Sequence, residues 1–157
     1  MRHEIVEAPA EPLHGSPQLF LAGGITGCPD WQETMAEHLA SGSDPLGPEW
    51  VLVNPRRRDW PDDPVEIERQ IAWEHRHLKS ARAILFWFPS ETLCPITLYE
   101  LGAWSQSSKP LFVGVHPGYQ RRLDVVVQTR LARPDVTVTS SLAELAAAVQ
   151  RGLLPPR

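Results

Sequence analysis

A chain of 157 residues has the length of one domain and can bury a core without disulfide or metal staples. Its 15 Lys and Arg against 19 Asp and Glu leave a formal charge of −4, too mild to imply a nucleic-acid partner, and Arg56-Arg57-Arg58 is the only basic run. Two cysteines, Cys28 and Cys94, share no metal-ligand spacing, which points to free thiols in a reducing cytoplasm, and no apolar run approaches the length of a membrane span.

Residues 1–17 are polar and dotted with proline, and read as a flexible N-terminal segment without a signal-peptide core. Gln18-Leu19-Phe20-Leu21-Ala22 is a short apolar strand stopped by Gly23-Gly24. Asp30-Trp31-Gln32-Glu33 is a capping box opening a helix whose apolar side carries Trp31, Met35, His38 and Leu39. A Gly/Ser/Pro loop over 41–48 leads to a second strand, Trp50-Val51-Leu52-Val53, ended by Asn54-Pro55. Pro64 suits the start of a long helix, along which Ile67, Ile71 and Leu78 recur at helical spacing.

Ala83-Ile84-Leu85-Phe86-Trp87-Phe88 is the strongest strand, followed by a helical run from Thr97 to Trp104 and a fourth strand, Leu111-Phe112-Val113-Gly114-Val115. Residues 120–131 are ambiguous, because Val125-Val126-Val127 suits helix or strand. Val136-Thr137-Val138 reads as a short edge strand. Ser141-Leu142-Ala143-Glu144 caps a last helix ending near Gly152, and residues 153–157 form a tail. Five short strands alternating with helices predict a doubly wound parallel sheet in one domain over 18–152, with helices on both faces. Continuous rather than alternating apolar strands predict burial on both sides.

In such sheets ligands bind outside the carboxyl ends of the strands, so the loops there matter most. Glu100 lies in the helical run just beyond the strand at 83–88, where an enclosed carboxylate can act as nucleophile or base. Thr97 and Glu100 are also spaced as a capping box, in which the Glu only accepts from a free backbone N–H. Glu74 falls seven, three and four positions from Ile67, Ile71 and Leu78, so it shares their apolar stripe. A charge on that stripe must be paired, for instance with Arg57, or protonated, or functional. His75 and His77 are two apart and cannot jointly ligate a metal from one helix face. The Gly23-Gly24 loop lacks the spacing of a dinucleotide fingerprint, and Asn54-Pro55-Arg56 stands where its acidic residue would follow strand two, so no nicotinamide or flavin cofactor is expected. The loop still permits close backbone approach to a sugar or phosphate.

Phe20-Leu21-Ala22-Gly23-Gly24, Glu74 ahead of the third strand, and Leu98-Tyr99-Glu100-Leu101-Gly102-Ala103 followed by Lys109-Pro110-Leu111 together resemble the nucleoside 2-deoxyribosyltransferase family over residues 18–115. The resemblance implies a flavodoxin-like sheet, exchange of the base of a 2′-deoxynucleoside through a covalent deoxyribosyl-glutamate, and oligomers whose sites borrow residues from a neighbour. It makes Glu100 the nucleophile and Glu74 the acid beside the base. Retaining displacement then needs Glu100 ionised, as a nearby helix N-terminus would favour, and Glu74 at least partly protonated, as burial would favour.

Two departures from the family bear on the reaction. Cys94 stands where the family has an acid six positions before the nucleophile, and Phe20 stands for its strand-one tyrosine. A thiol cannot replace an ionised carboxylate at neutral pH, and Glu91 is the nearest acid on that loop. Arg56, Arg57, Arg121 and Arg122 offer more cationic donors at the sheet edge than a neutral nucleoside needs, which points to a 5′-phosphate. The sequence reading is therefore cleavage or transfer at the N-glycosidic bond of a nucleoside or nucleoside monophosphate. Glu100 and Glu74 are its catalytic pair, and Gly23, Gly24, Asn54, Arg56, Arg57, Glu91, Cys94 and Arg122 contact substrate. A non-catalytic nucleotide-binding or sensor module on the same fold is the alternative, favoured by Cys94 and Phe20.

Overall fold

Six successive apolar residues, Ala83 to Phe88, leave no polar side for water, so this strand can only be central, and all six are buried. The computed structural model describes residues 3–13 and 15–154. Among these the order is β1 (Glu4–Glu7), β2 (Gln18–Gly23), α1 (Trp31–Leu39), β3 (Val51–Asn54), α2 (Pro64–Ser80), β4 (Ala83–Phe88), α3 (Pro95–Trp104), β5 (Leu111–Val115), α4 (Arg122–Ala132), β6 (Val138–Thr139) and α5 (Leu142–Leu153). The strands form one parallel sheet in the order β1-β3-β2-β4-β5-β6. Setting β1 aside, this is the flavodoxin-like order, with its switch point between β2 and β4.

Alternate side chains divide the core in two. Phe20, Ala22, Val53, Ile84, Phe86 and Phe88 pack with Trp73, Leu78, Leu101 and Val125 from α2, α3 and α4. Leu19, Leu21, Leu52, Leu85 and Trp87 pack with Trp31, Met35, Leu39, Leu145 and Val149 from α1 and α5. Each fully buried Leu or Phe contributes roughly 1.5–3 kcal/mol relative to its exposed state. Among the described residues no helix is long and apolar enough to cross a membrane.

Several expectations need correction. The sheet has six strands rather than five, because Glu4–Glu7 pairs in parallel with β3 from Glu4↔Val51 to Glu7↔Asn54. This edge strand buries only Val6 well and leaves Ile5 42% exposed, so it carries no apolar run to betray it. The turn after it is fastened to α2: Trp73 Nε1 donates to Ala10 O at 2.9 Å, and Glu11 pairs with Arg76 and meets His77 Nε2 at 3.1 Å. Within a stretch expected to be flexible, Glu4 to Glu11 is thereby fastened to β3 and α2. The ambiguous segment after β5 is the helix α4.

The face of α2 turned to the core carries Gln70, Trp73, His77 and Leu78, while Ile71 is 60% exposed. Finally, α3 begins at Pro95 with Cys94 as its N-cap, so Glu100 lies in the second turn and the Thr97–Glu100 capping box does not exist.

Lys109 ties these helices to the sheet. Its ammonium donates to Leu78 O, Lys79 O and Ala81 O at 2.6, 2.9 and 2.6 Å, satisfying carbonyls at the end of α2, and lies 4.7 Å from the centroid of Trp104 on α3.

Candidate active site

The mouth of the site is set by glycine. A Cβ at Gly23 would collide with Trp31 and the Trp87 carbonyl, and one at Gly24 would stand 2.8 Å from Cys94 Sγ and 2.9 Å from Cys28 Sγ. No larger residue fits where β2 meets the start of α3. Trp31 Nε1 fixes the Gly24 carbonyl at 2.9 Å. Opposite it, Cys94 adopts φ 47° and ψ 56°, the one left-handed non-glycine among the described residues. That backbone is costly for an L-residue and marks a place where the fold imposes geometry. Thr92 Oγ1 lies 3.3 Å from Cys94 Sγ and 3.7 Å from Cys28 Sγ, and Tyr119 OH pins the same loop by donating to Leu93 O at 2.7 Å.

From this mouth a cleft of about 940 Å³ runs between α2 and α3. Its floor is Phe20 and Ala22 of β2, and its walls carry Ile67, Ile71, Leu78, Ile96 and Trp104, with Trp60 at the rim. Both Glu74 and Glu100 line it. Glu74 is held by Gln70, whose Nε2 donates to Glu74 Oε1 at 2.8 Å and to Pro55 O at 3.2 Å. Burial pushes the Glu74 carboxyl above its usual range, and the Gln70 hydrogen bond partly offsets this. Burial and then the Glu74 charge push Glu100 up to about 8, with no hydrogen-bond donor opposing them. The charge of one carboxylate makes ionisation of the other harder in such a pair. The position of Glu100 near a helix start does not keep it ionised, because the second turn lies beyond the reach of the free N–H groups.

Of the residues expected to contact substrate, Gly23, Gly24 and Cys94 come together with Glu74 and Glu100 in the cleft. The others do not line it. Asn54 is buried and accepts from the Arg56 N–H at 3.0 Å, closing the turn after β3. Arg56 donates to Gln32 Oε1 at 3.1 Å and Pro29 O at 2.9 Å. Arg57 faces Asp59 at 3.4 Å and borders a separate depression with Trp73 and Arg76, so it does not pair with Glu74. Arg121 pairs with Asp124 at 2.9 Å, and Glu91 is exposed beside the mouth. Arg122 donates to Val115 O at 3.0 Å and Ser140 Oγ at 3.1 Å, joining the ends of β5 and β6. Arg122→Ala should therefore lower stability to denaturant by about 1–3 kcal/mol and affect phosphorylated and unphosphorylated substrates alike. A selective loss for the phosphorylated one would place the arginine at substrate instead.

Gln70, Thr92, Trp60 and Tyr99 also line the cleft and were not singled out in the sequence. For Gln70 a signal existed: it precedes Glu74 by one helical turn, the spacing at which an amide reaches a carboxylate. Phe20 is 1% exposed and packs on Trp73 with centroids 6.5 Å apart, so the floor offers an aromatic ring without a hydroxyl.

The fold is a parallel α/β sheet with Glu74 and Glu100 lining an apolar cleft between α2 and α3. A family described as nucleoside 2-deoxyribosyltransferase like matches residues 16–119, and the chain belongs to that family. A comparison with curated proteins finds no match.

Proposed function

We propose that the chain cleaves or transfers at the N-glycosidic bond of a nucleoside through a covalent glycosyl-Glu100 intermediate, with Glu74 handling the proton of the departing base. The observation that carries this reading is that Glu74 and Glu100 line one apolar cleft, near enough for the Glu74 charge to act on Glu100. A carboxylate attacking the anomeric carbon and a second group protonating the leaving base are the two parts a retaining displacement requires. Among the described residues no lysine or arginine lines the cleft, so a neutral nucleoside fits it better than a monophosphate. Water or a second base resolves the intermediate according to how fully the cleft is closed.

Incubation with a panel of ribo- and deoxyribonucleosides and their monophosphates, with and without an acceptor base, tests this. Free base or exchanged nucleoside is the expected result. Absence of both across the panel would leave the second reading, a nucleotide-binding or sensor module, for which Cys94 and Phe20 in place of an acid and a tyrosine are the supporting residues.

The rim suggests how closure is achieved. Trp60, Ile71, Ile96 and Tyr99 line the cleft yet are 53, 60, 63 and 78% exposed. Apolar surface gathered around a site in this way suits a second copy of the chain, which would also exclude water from the intermediate. Light scattering at micromolar concentration should give a dimer or larger species. A fully active 17.6 kDa monomer would rule this out.

A further inference from the structure

We propose that Gln70 is a positioning residue that decides which of the two carboxyl groups keeps a proton: it holds Glu74 as the carboxylate and leaves the proton on Glu100. The inference rests on the glycosidic reading above and adds where the proton for the departing base comes from.

One orientation of Gln70 serves both of its acceptors, at the cost of leaving its buried Oε1 without a partner. Its Nε2 faces two acceptors, Pro55 O at 3.2 Å and Glu74 Oε1 at 2.8 Å, and Gln70 is 2% exposed. A reversed amide would set its oxygen against the Pro55 carbonyl, so the group facing Glu74 is always a donor. Glu74 Oε1 is therefore always an acceptor, and any proton Glu74 carries sits on Oε2. Glu100 receives no comparable donor and faces the Glu74 charge. The other titratable groups lining the cleft are His75 on α2, Cys94 at the start of α3 and Tyr99 on α3. Burial favours the neutral Cys94 thiol.

The consequence balances the first half-reaction internally. As a Glu100 oxygen bonds to the anomeric carbon, the bond from that carbon to the base nitrogen breaks and its electron pair goes to the base. The Glu100 proton passes to Glu74 Oε2 and from there to the nitrogen. The products are a glycosyl ester on Glu100 and a neutral base bearing N–H, with Glu74 returned to its carboxylate. No proton is drawn from solvent.

The experiment is a carboxyl ¹³C NMR titration of the full chain with labelled glutamate, the two signals assigned through Glu74→Gln and Glu100→Gln. In the wild type Glu74 should ionise first and Glu100 last. In Gln70→Leu and in the size-matched Gln70→Met the Glu74 midpoint should rise by about one pH unit, and the acid limb of the kcat/KM profile should rise with it. A merely structural Gln70 would lower turnover at every pH without moving that limb. The proposal is overturned if Glu100 ionises first in the wild type, or if the Glu74 midpoint stays put in both variants. Should Gln70→Leu fail to fold, Gln70→Met and the wild-type order still decide. A wild type that releases no base removes the glycosidic reading, while the titration still reports what Gln70 does to the pair.

Discussion

Glu100→Gln and Glu100→Ala should release no base from any nucleoside the wild type accepts, while keeping the fold. A nucleophile is indispensable to a covalent route, whereas in the second turn of α3 Glu100 caps no backbone group and its loss leaves no donor unpaired. A 2-fluoro-substituted nucleoside analogue should add the mass of its sugar to Glu100 in the wild type and to nothing in the variants. Wild-type turnover by Glu100→Gln would end the covalent mechanism outright. Label on Glu74 instead would exchange the two roles.

The same Glu100→Gln substitution should make the protein more stable above neutral pH. Burial and the Glu74 charge raise the Glu100 pKa from 4.5 to about 8 in the fold, so the folded chain binds this proton more tightly than the unfolded chain does. The stabilisation from that proton is fully present below about pH 4.5 and is lost as pH rises through about 8. Glutamine, neutral throughout, escapes the loss. At pH 9 the variant should exceed the wild type by on the order of 3 kcal/mol, reduced by whatever solvent reaches the half-buried carboxyl, and the difference should shrink towards pH 5. Denaturant unfolding at pH 5, 7 and 9 measures it. Parallel curves for the two proteins would mean that Glu100 titrates as an ordinary surface carboxyl. Loss of activity joined to a gain in stability is the pattern of a residue kept for chemistry.

The elements legible in the sequence were those whose signals are local. The apolar run at Ala83 to Phe88 could be nothing but a buried strand, and Asp30 caps α1 by accepting from Glu33 N as its spacing foretold. That Glu74 and Glu100 line a common cleft could be anticipated because a carboxylate amid apolar positions is conspicuous. On α2 the apolar pattern misled, since Ile67 and Ile71 face the cleft while Trp73 and His77, each next to a charged residue, are buried, Trp73 against Phe20 and His77 against Trp73 and Glu11. A helix that serves a core on one side and a site on another carries two stripes, and periodicity alone does not tell which is which. The arginines were misplaced for a different reason. The loops do gather at one edge, but Arg56 and Arg122 are taken up by carbonyls and side chains distant in sequence, such as Gln32 and Ser140, which no spacing rule announces.

Lys109 has a mechanical meaning beyond its hydrogen bonds. The helices that carry the two carboxyl groups are joined at one end, where a single ammonium grips the last carbonyls of α2 and lies over Trp104 of α3. At the other end, α2 starts beyond the loop of Trp60 and α3 starts from the strained Cys94. The two helices are thus clasped at the Lys109 end, while their starts at the mouth are held by separate loops, that of α3 by Tyr119 through Leu93 O. Loss of the Lys109 clasp would therefore be felt by both carboxyl-bearing helices at once, without touching a strand hydrogen bond of the sheet beneath them.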